Sequence, residues 1–576
     1  MIRRFPALFV ACLLMFSLPS ARHGVDVALA EAQDLDSEYR DPNNSGNGVQ
    51  VVILKDEPLG GGLFSYISGG SAPPGTCRSI SDPACRNSLA MLYYRAILQP
   101  CTSNSQLDCI GGFGSIQNET ASSSGTFLKT FPSAARHGFN GDSSLKLPAG
   151  GAATIWSLPN MPHAGGNQYM VRVYTDGRFS NGSFQISEFG AEIVPIELVP
   201  DPCTPLPNST HGCENEGRGF YNVIAGGVEY DEAGNELPRK TIWGEASRVS
   251  NTPFDCLVIA EDKCARRHAF PKTSRFFLTL RLSQSPIGWL HGRIAKPDVS
   301  IKPIGGSAVE LTVAGETVKT PVVAIESMWA NLPPSLKEAY RESGGFRGAP
   351  SRTRNLPLFN LGPEVRNAIS APTSYSATGM SELIAWLPYI GDKSTADISK
   401  WTLRSLSDSE LAGASSCFSS KAQLNGLVMT NATQYSAGPP TFDRAAGSLD
   451  YKVAAPHYTS GGSVFLGTYD LVMRSDVARC IYGFSKAPLN ASISVVDNEG
   501  VTTTATKLVS ERDGWIRIAA YGFGFSSPTI KVQLTQDAPA ATKTTGKKVT
   551  ITCKKGKLVK KVTGLKPTCP KGYKKA

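Results

Sequence analysis

Residues 275–283, Arg275-Phe276-Phe277-Leu278-Thr279-Leu280-Arg281-Leu282-Ser283, decide the fold class. Phe276, Leu278, Leu280 and Leu282 fall on one side of an extended chain and Arg275, Thr279 and Arg281 on the other. That period of two marks a strand with one face in a core. The same alternation recurs at Tyr169, Val171 and Val173, at Tyr469, Leu471 and Met473, and at Ile516, Ile518 and Ala520. Turn pairs punctuate these runs: Asp176-Gly177, Asn181-Gly182, Glu499-Gly500 and Asp513-Gly514. With 56 glycines, 39 prolines and 18% charged residues, the composition suits many turns joining strands. The expectation is a mainly β, multi-domain β-sandwich protein with few short helices, disulfide-stapled loops and a small basic C-terminal hairpin module.

Three short helices are expected. In residues 87–98, Leu89, Leu92, Tyr93, Ala96 and Ile97 form an apolar stripe at helical spacing. A second starts at Ser335, capped by its hydroxyl with Glu338 completing the box, and stops at Gly344-Gly345. A third begins at Pro363 and runs through Val365 to Ile369.

Export is written at the N-terminus. Residues 1–4 supply two positive charges, residues 5–18 an apolar stretch too short for a membrane span, and Ala28-Leu29-Ala30 a small-residue cleavage site. Residues 1–30 therefore read as a signal peptide; Phe9-Val10-Ala11 before Cys12 makes a poor lipobox. No later apolar run reaches the roughly 20 residues of a membrane helix, residues 381–391 coming nearest. Twelve cysteines follow the leader and form six neighbouring couples: Cys77 with Cys85, Cys101 with Cys109, Cys203 with Cys213, Cys256 with Cys264, Cys417 with Cys480, and Cys553 with Cys569. An even count in an exported chain implies oxidative folding, hence a secreted or envelope-associated protein. Zinc is a weaker reading of Cys213 beside His211 and Cys264 before His268, because seven intervening residues suit a closed loop better than a metal knuckle. No metal and no cofactor is expected.

Composition divides the rest into a polar linker at 31–48, a β-rich region with stapled loops at 49–310, a mixed connecting region at 311–420, a sandwich domain at 421–536 and a lysine-rich linker and disulfide hairpin at 537–576. Of the net charge of +10, twelve lysines with no acidic residue lie in 538–576, which leaves the remainder of the chain at −2. Lys554, Lys555, Lys557, Lys560 and Lys561 would project from the hairpin and gain from counterion release on a polyanion. A tail whose lysines are interleaved only with Tyr573 offers no stacking platform, so no specific nucleic acid is expected.

The stretches Leu449-Asp450-Tyr451-Lys452-Val453, Gly467-Thr468-Tyr469-Asp470-Leu471, Val477-Ala478-Arg479-Cys480-Ile481-Tyr482-Gly483-Phe484 and Asp513-Gly514-Trp515-Ile516-Arg517 resemble a domain of uncharacterised secreted proteins of actinobacteria. The ending, from Ile551-Thr552-Cys553-Lys554-Lys555-Gly556-Lys557 to Lys566-Pro567-Thr568-Cys569-Pro570, looks like the lysine-rich two-cysteine tail those proteins carry. The resemblance covers about residues 420–576. It implies an exported, envelope-associated protein and assigns no catalytic residue.

A second basic group, Arg266, Arg267, Arg275, Arg281 and Arg293 around Trp289, has the chemistry of a sugar or anion site if the ring and the guanidinium groups are exposed, and of a core Trp beside a solvated strand face if they are not. Catalytic signatures are scarce: there is no G-x-S-x-G elbow and no H-E-x-x-H helix. Glu188 and Glu192 share a strand face, but at ~3.3 Å per residue they stand about 13 Å apart, beyond either glycosidase geometry, so a partner carboxylate must come from another strand. Asp34, Asp36, Glu38 and Asp41 lack the glycine and glutamate of a calcium loop. The functional expectation is a non-catalytic envelope protein that binds glycan or an anionic cell-wall polymer. An extracellular polysaccharide hydrolase and a surface-layer component are the alternatives.

Overall fold

The computed structural model describes residues 48–52, 65–69, 79–81, 92–117, 121–133, 138–200, 256–328 without 273 and 287, 333–339, 368–370, 377–411 without 395 and 407, 416–418, 423–484 without 437, 489–496, 502–503, 506–525, 529–536 and 549–576. The leader, the linkers at 31–47 and 537–548, the acidic set at 34–41 and the cysteines at 77, 85, 203 and 213 lie outside these residues.

The protein is mainly β, as the alternation predicts. One long sheet organises it, in the order Tyr66–Gly69, Leu92–Ile97, Gln168–Ser180, Ser183–Pro200, Ala396–Ser405, Gly288–Arg293, Leu424–Thr430, Gly467–Arg474, Trp515–Phe523 and Thr506–Arg512. Along this path all pairings are antiparallel except that of Gly288–Arg293 with Leu424–Thr430. A five-stranded sheet runs Ala295–Gly305, Ala308–Glu316, Arg275–Leu282, Cys109–Ile116 and Ser122–Ser124. Its strand 275–282 alternates half-exposed and buried at every step. Phe276, Leu278 and Leu280 pack there with Val171, Val173, Ile193, Trp401 and Leu403 of the long sheet.

A six-stranded sheet, built from strands Gln434–Tyr435, Thr441–Asp443, Ser448–Ala454, Leu489–Val496, Thr502–Thr503 and Thr529–Gln536, packs on the long sheet to form a second core, where Leu449, Tyr451, Ile530 and Val532 meet Val428, Leu471, Met473 and Ile518. Adjacent residues of the shared strands divide between the two cores. Leu427, Met429 and Val472 belong to the first, and Val428, Leu471 and Met473 to the second. Since successive side chains of a strand point to opposite faces, the two smaller sheets lie on opposite faces of the long one. Strands Gly288–Arg293 and Leu424–Thr430 are consequently buried at every position. Strand Ala396–Ser405, from the region expected to be a mixed connector, sits in the middle of the long sheet between Ser183–Pro200 and Gly288–Arg293.

Two helix expectations are corrected. Residues 92–97 form a strand, paired on one side with 66–69 and on the other with 174–178. Leu92, Tyr94 and Ala96 enter the first core while Tyr93 and Arg95 face away, a period of two that the helical stripe concealed. Ala368–Ser370, the end of the third expected helix, is a strand parallel to Gly48–Val52. The second helix is Pro334–Ala339, with residues 340–344 outside the described part. Ser335 does not serve there as its cap: its hydroxyl pairs with that of Tyr389 at 3.0 Å. Three further α-helices among the described residues were not expected, Ala377–Trp386, the single turn Asp408–Leu411, and Ser475–Tyr482. Gly483, at φ 67°, ends the latter in the left-handed conformation glycine adopts without strain.

Three couples are disulfides as paired from sequence: Cys101–Cys109, Cys417–Cys480 and Cys553–Cys569. Cys264 is also disulfide-bonded, and the backbone of Cys256 lies opposite Arg266, on the strand that carries Cys264. The Cys417–Cys480 bond fastens helix 475–482 to the turn Ser416–Phe418. Among the described residues, no helix is long and apolar enough to cross a membrane.

Candidate functional site

The C-terminal module is the first candidate. Val549–Lys555 and Leu558–Gly564 form a hairpin, and Lys574–Lys575 adds a third short strand against Cys553 and Lys554. Gly556, at φ 60°, occupies the tight turn, where a side chain would strain the backbone. Ile551 and Cys553 are buried, and the Cys553–Cys569 bond ties the hairpin to the chain that follows it. On so small a core the staple matters, since closing this loop is worth ~3 kcal/mol on the chain-entropy model.

All nine lysines of residues 549–576 are exposed, among them Lys554, Lys555, Lys557, Lys560 and Lys561, and no Asp or Glu accompanies them. Lys554 stands directly opposite Lys574, and Cys553 lies between Lys560 and Lys575 across the three strands. Like charges directly opposite one another destabilise a sheet, and no side-chain carboxylate within the module offsets them. The module therefore carries unneutralised positive charge on a preformed scaffold.

The arginine and tryptophan group does not assemble. Trp289 is fully buried, edge-on to Phe418 with ring centroids 5.2 Å apart, so it is a core residue and not a stacking platform for sugar. Arg293 is equally buried. It donates to the carbonyls of Thr430 and Thr433, each at 3.1 Å, and of Ala432, and its guanidinium lies over the Tyr435 ring. The reason is topological, because their strand is covered on both faces. Arg281 pairs with Glu310 at 3.3 Å and Arg275 donates to the carbonyl of Lys296 at 2.8 Å. Arg266 and Arg267 are half-buried on the neighbouring strand Lys263–Arg267, where Arg267 reaches the carbonyl of Ser399. The sequence neighbours thus serve separate elements.

Another group, which the sequence reading did not find, lies on the face of the long sheet away from the first core. Tyr66, Arg95, Asp176 and Glu188 stand opposite one another across four strands. Arg95 grips both oxygens of Asp176, at 2.7 and 2.5 Å, and lies over the Tyr174 ring. The Tyr174 hydroxyl donates to Glu188 at 2.5 Å, and Arg404 bridges Glu188 and Glu410 at 3.5 and 2.5 Å. Burial pushes the Asp176 carboxyl upward against the opposing pull of Arg95. Asp176 supplies the cross-strand carboxylate that Glu188 required, with Cβ atoms ~4.5–5.5 Å apart for directly opposed residues. Both acids are engaged by arginine, which gives them the arrangement of a structural ion-pair belt. Among the described residues, no group of three or more His, Cys, Asp or Glu is disposed to hold a metal ion. His163, near His268, is pushed down to about 4, first by burial, and its ring nitrogens are met by backbone groups of Gln168 and Gly165.

No family model, no curated protein and no solved structure matches the chain.

Proposed function

We propose that this is an exported, non-catalytic β-sandwich protein that is held at the cell envelope by its C-terminal module, which binds an anionic cell-wall polymer or polysaccharide. The observation that carries the reading is the module itself: nine exposed lysines without a side-chain carboxylate on a disulfide-closed hairpin. A polyanion laid across it would relieve the repulsion between opposed lysines and release its own condensed counterions. The framework of disulfides is compatible with an oxidising compartment, and the resemblance of residues 420–576 to secreted actinobacterial proteins points the same way. The sandwiches then present the rest of the protein to the envelope.

The test is retention on immobilised polyphosphate or teichoic acid, comparing the mature chain with one ending at residue 548. If about five lysines are neutralised, affinity falls roughly a hundredfold or more between 50 and 200 mM salt, by analogy with the salt slopes of phosphate contacts. The truncated chain should flow through at low salt. Equal retention of the two chains would refute the tether.

A further inference from the structure

The hairpin tip carries two apolar side chains that an ammonium–phosphate contact does not use. Leu558 is 63% exposed and Val559 58% exposed, both more open than the core-forming strands of the sandwiches would permit. They follow the turn at Gly556, opposite Lys555 and Lys554 respectively, and so point to the two sides of one protruding end. Lys554, Lys555, Lys557, Lys560 and Lys561 surround them, all exposed. An apolar end ringed by cations is complementary to one kind of surface, a bilayer whose headgroups are anionic and whose hydrocarbon begins a few ångströms below them. A polymer of phosphates or uronates supplies the charge but not the apolar phase.

We infer that the module seats its tip in an anionic lipid surface, with Leu558 and Val559 entering the headgroup boundary while the five lysines contact lipid phosphates. This goes beyond the polymer tether, sharing its lysines and adding a partner that the tip selects. Each lysine held near such a surface strengthens the attachment roughly fivefold. The apolar pair decides whether the module rests on the surface or enters it.

The experiment uses the mature full-length chain. Its sedimentation with vesicles of equal phosphatidylglycerol and phosphatidylcholine is compared with phosphatidylcholine vesicles alone, and its elution from polyphosphate resin is measured in parallel. Wild type should bind the anionic vesicles and not the neutral ones. The variant Leu558→Ser/Val559→Ser should bind anionic vesicles roughly ten- to a hundredfold more weakly, as expected from losing two half-exposed aliphatic side chains, while eluting from the resin at the wild-type salt concentration. Leu558→Trp should bind the anionic vesicles more tightly than wild type without moving on the resin and without pelleting when vesicles are absent, which separates the gain from aggregation. The inference is overturned if the serine variant binds vesicles as wild type does, or if wild type holds the resin but ignores the vesicles. Loss of resin binding by wild type would instead refute the polymer tether, with the vesicle arm still deciding the lipid contact.

Discussion

Asp470 offers the sharpest test of how the two sandwiches are joined. It is buried on strand Gly467–Arg474, where its carboxylate meets the Tyr521 hydroxyl and accepts from the backbone N–H of Lys296 at 3.3 Å, on the first strand of the five-stranded sheet. Glu316, the Lys296 ammonium, the buried Tyr469 and, nearby, the Arg517–Asp298 pair complete its charged and titratable surroundings. Burial pushes the carboxyl up from 3.8 to about 7, with Tyr521 and the Lys296 N–H pulling the other way. A folded value above the unfolded one means that the neutral carboxyl favours folding. That contribution is fully present below about 3.8, declines as the pH climbs, and is gone above about 7. At ~1.4 kcal/mol per unit, the ionised group costs about 4 kcal/mol at pH 8. Asp470→Asn keeps the shape, accepts from Lys296 N–H and donates to the Tyr521 oxygen without ionising. Urea unfolding of both proteins between pH 4 and 8.5, disulfides intact, should give near-equal stabilities at pH 4 and a variant more stable by ~2–4 kcal/mol at pH 8. Subtracting one curve from the other removes the other titrating groups. A difference that does not vary with pH, or a variant weaker at pH 8, would refute the reasoning.

Replacing Cys417 and Cys480 by Ser removes a bond closing a separation of 63 residues, and denaturant unfolding should show a loss of about 4 kcal/mol together with freer proteolysis of helix 475–482. Gly426→Ala would set a Cβ 2.5 Å from the Trp289 ring and 2.7 Å from the Val472 carbonyl; overpacking between the two layers should cost ~1–3 kcal/mol and appear in near-UV circular dichroism. Asp176→Ala removes the carboxylate that grips the largely buried Arg95 through two hydrogen bonds and should lower stability by about 3 kcal/mol, whereas Arg178→Ala, on the same strand, should change little; thermal melts at pH 7 compare them.

Local patterns were legible, and contacts between distant segments were not. The strand 275–282 was readable because one face is covered and the other half-open, so chemistry alternates with burial. The stapled loop at Cys101 and Cys109 and the terminal hairpin declare themselves within about twenty residues of chain. Residues 92–97 misled because Leu92 and Ala96 fit both a helical and an extended period. Tyr94, buried beside Phe184, settles it for the strand. Helix 475–482 escaped notice because its apolar face is short and its stability is borrowed from the Cys417 bond.

The basic group around Trp289 and the belt around Asp176 fail to declare themselves for a shared reason, which is that the identity of a face depends on what lies across the sheet. Arg293 looks like a surface residue until the carbonyls of residues 430–433, some 140 positions away, fold over it. A guanidinium with three carbonyl acceptors and a tyrosine ring is satisfied in a core where a lone charge would not be. The belt is obscured by a single register step. The Asn181-Gly182 turn pairs Ser180 with Ser183 and, carried inward unbroken, would set Asp176 against Ser187. An irregularity between Asp176 and Gly177 inserts one residue, so Glu188 faces Asp176 instead and both acids share a face with Arg95 and Arg404. Since a one-residue slip reverses every side chain, that bulge decides whether the carboxylates meet arginines or the apolar first core. Gly177 permits it, because a Cβ there would stand 2.6 Å from the Gln185 carbonyl and against the Tyr94 ring. The turn is visible in the sequence, while the bulge that changes its meaning lies further along the second strand, at Ser187, where no turn residue marks it.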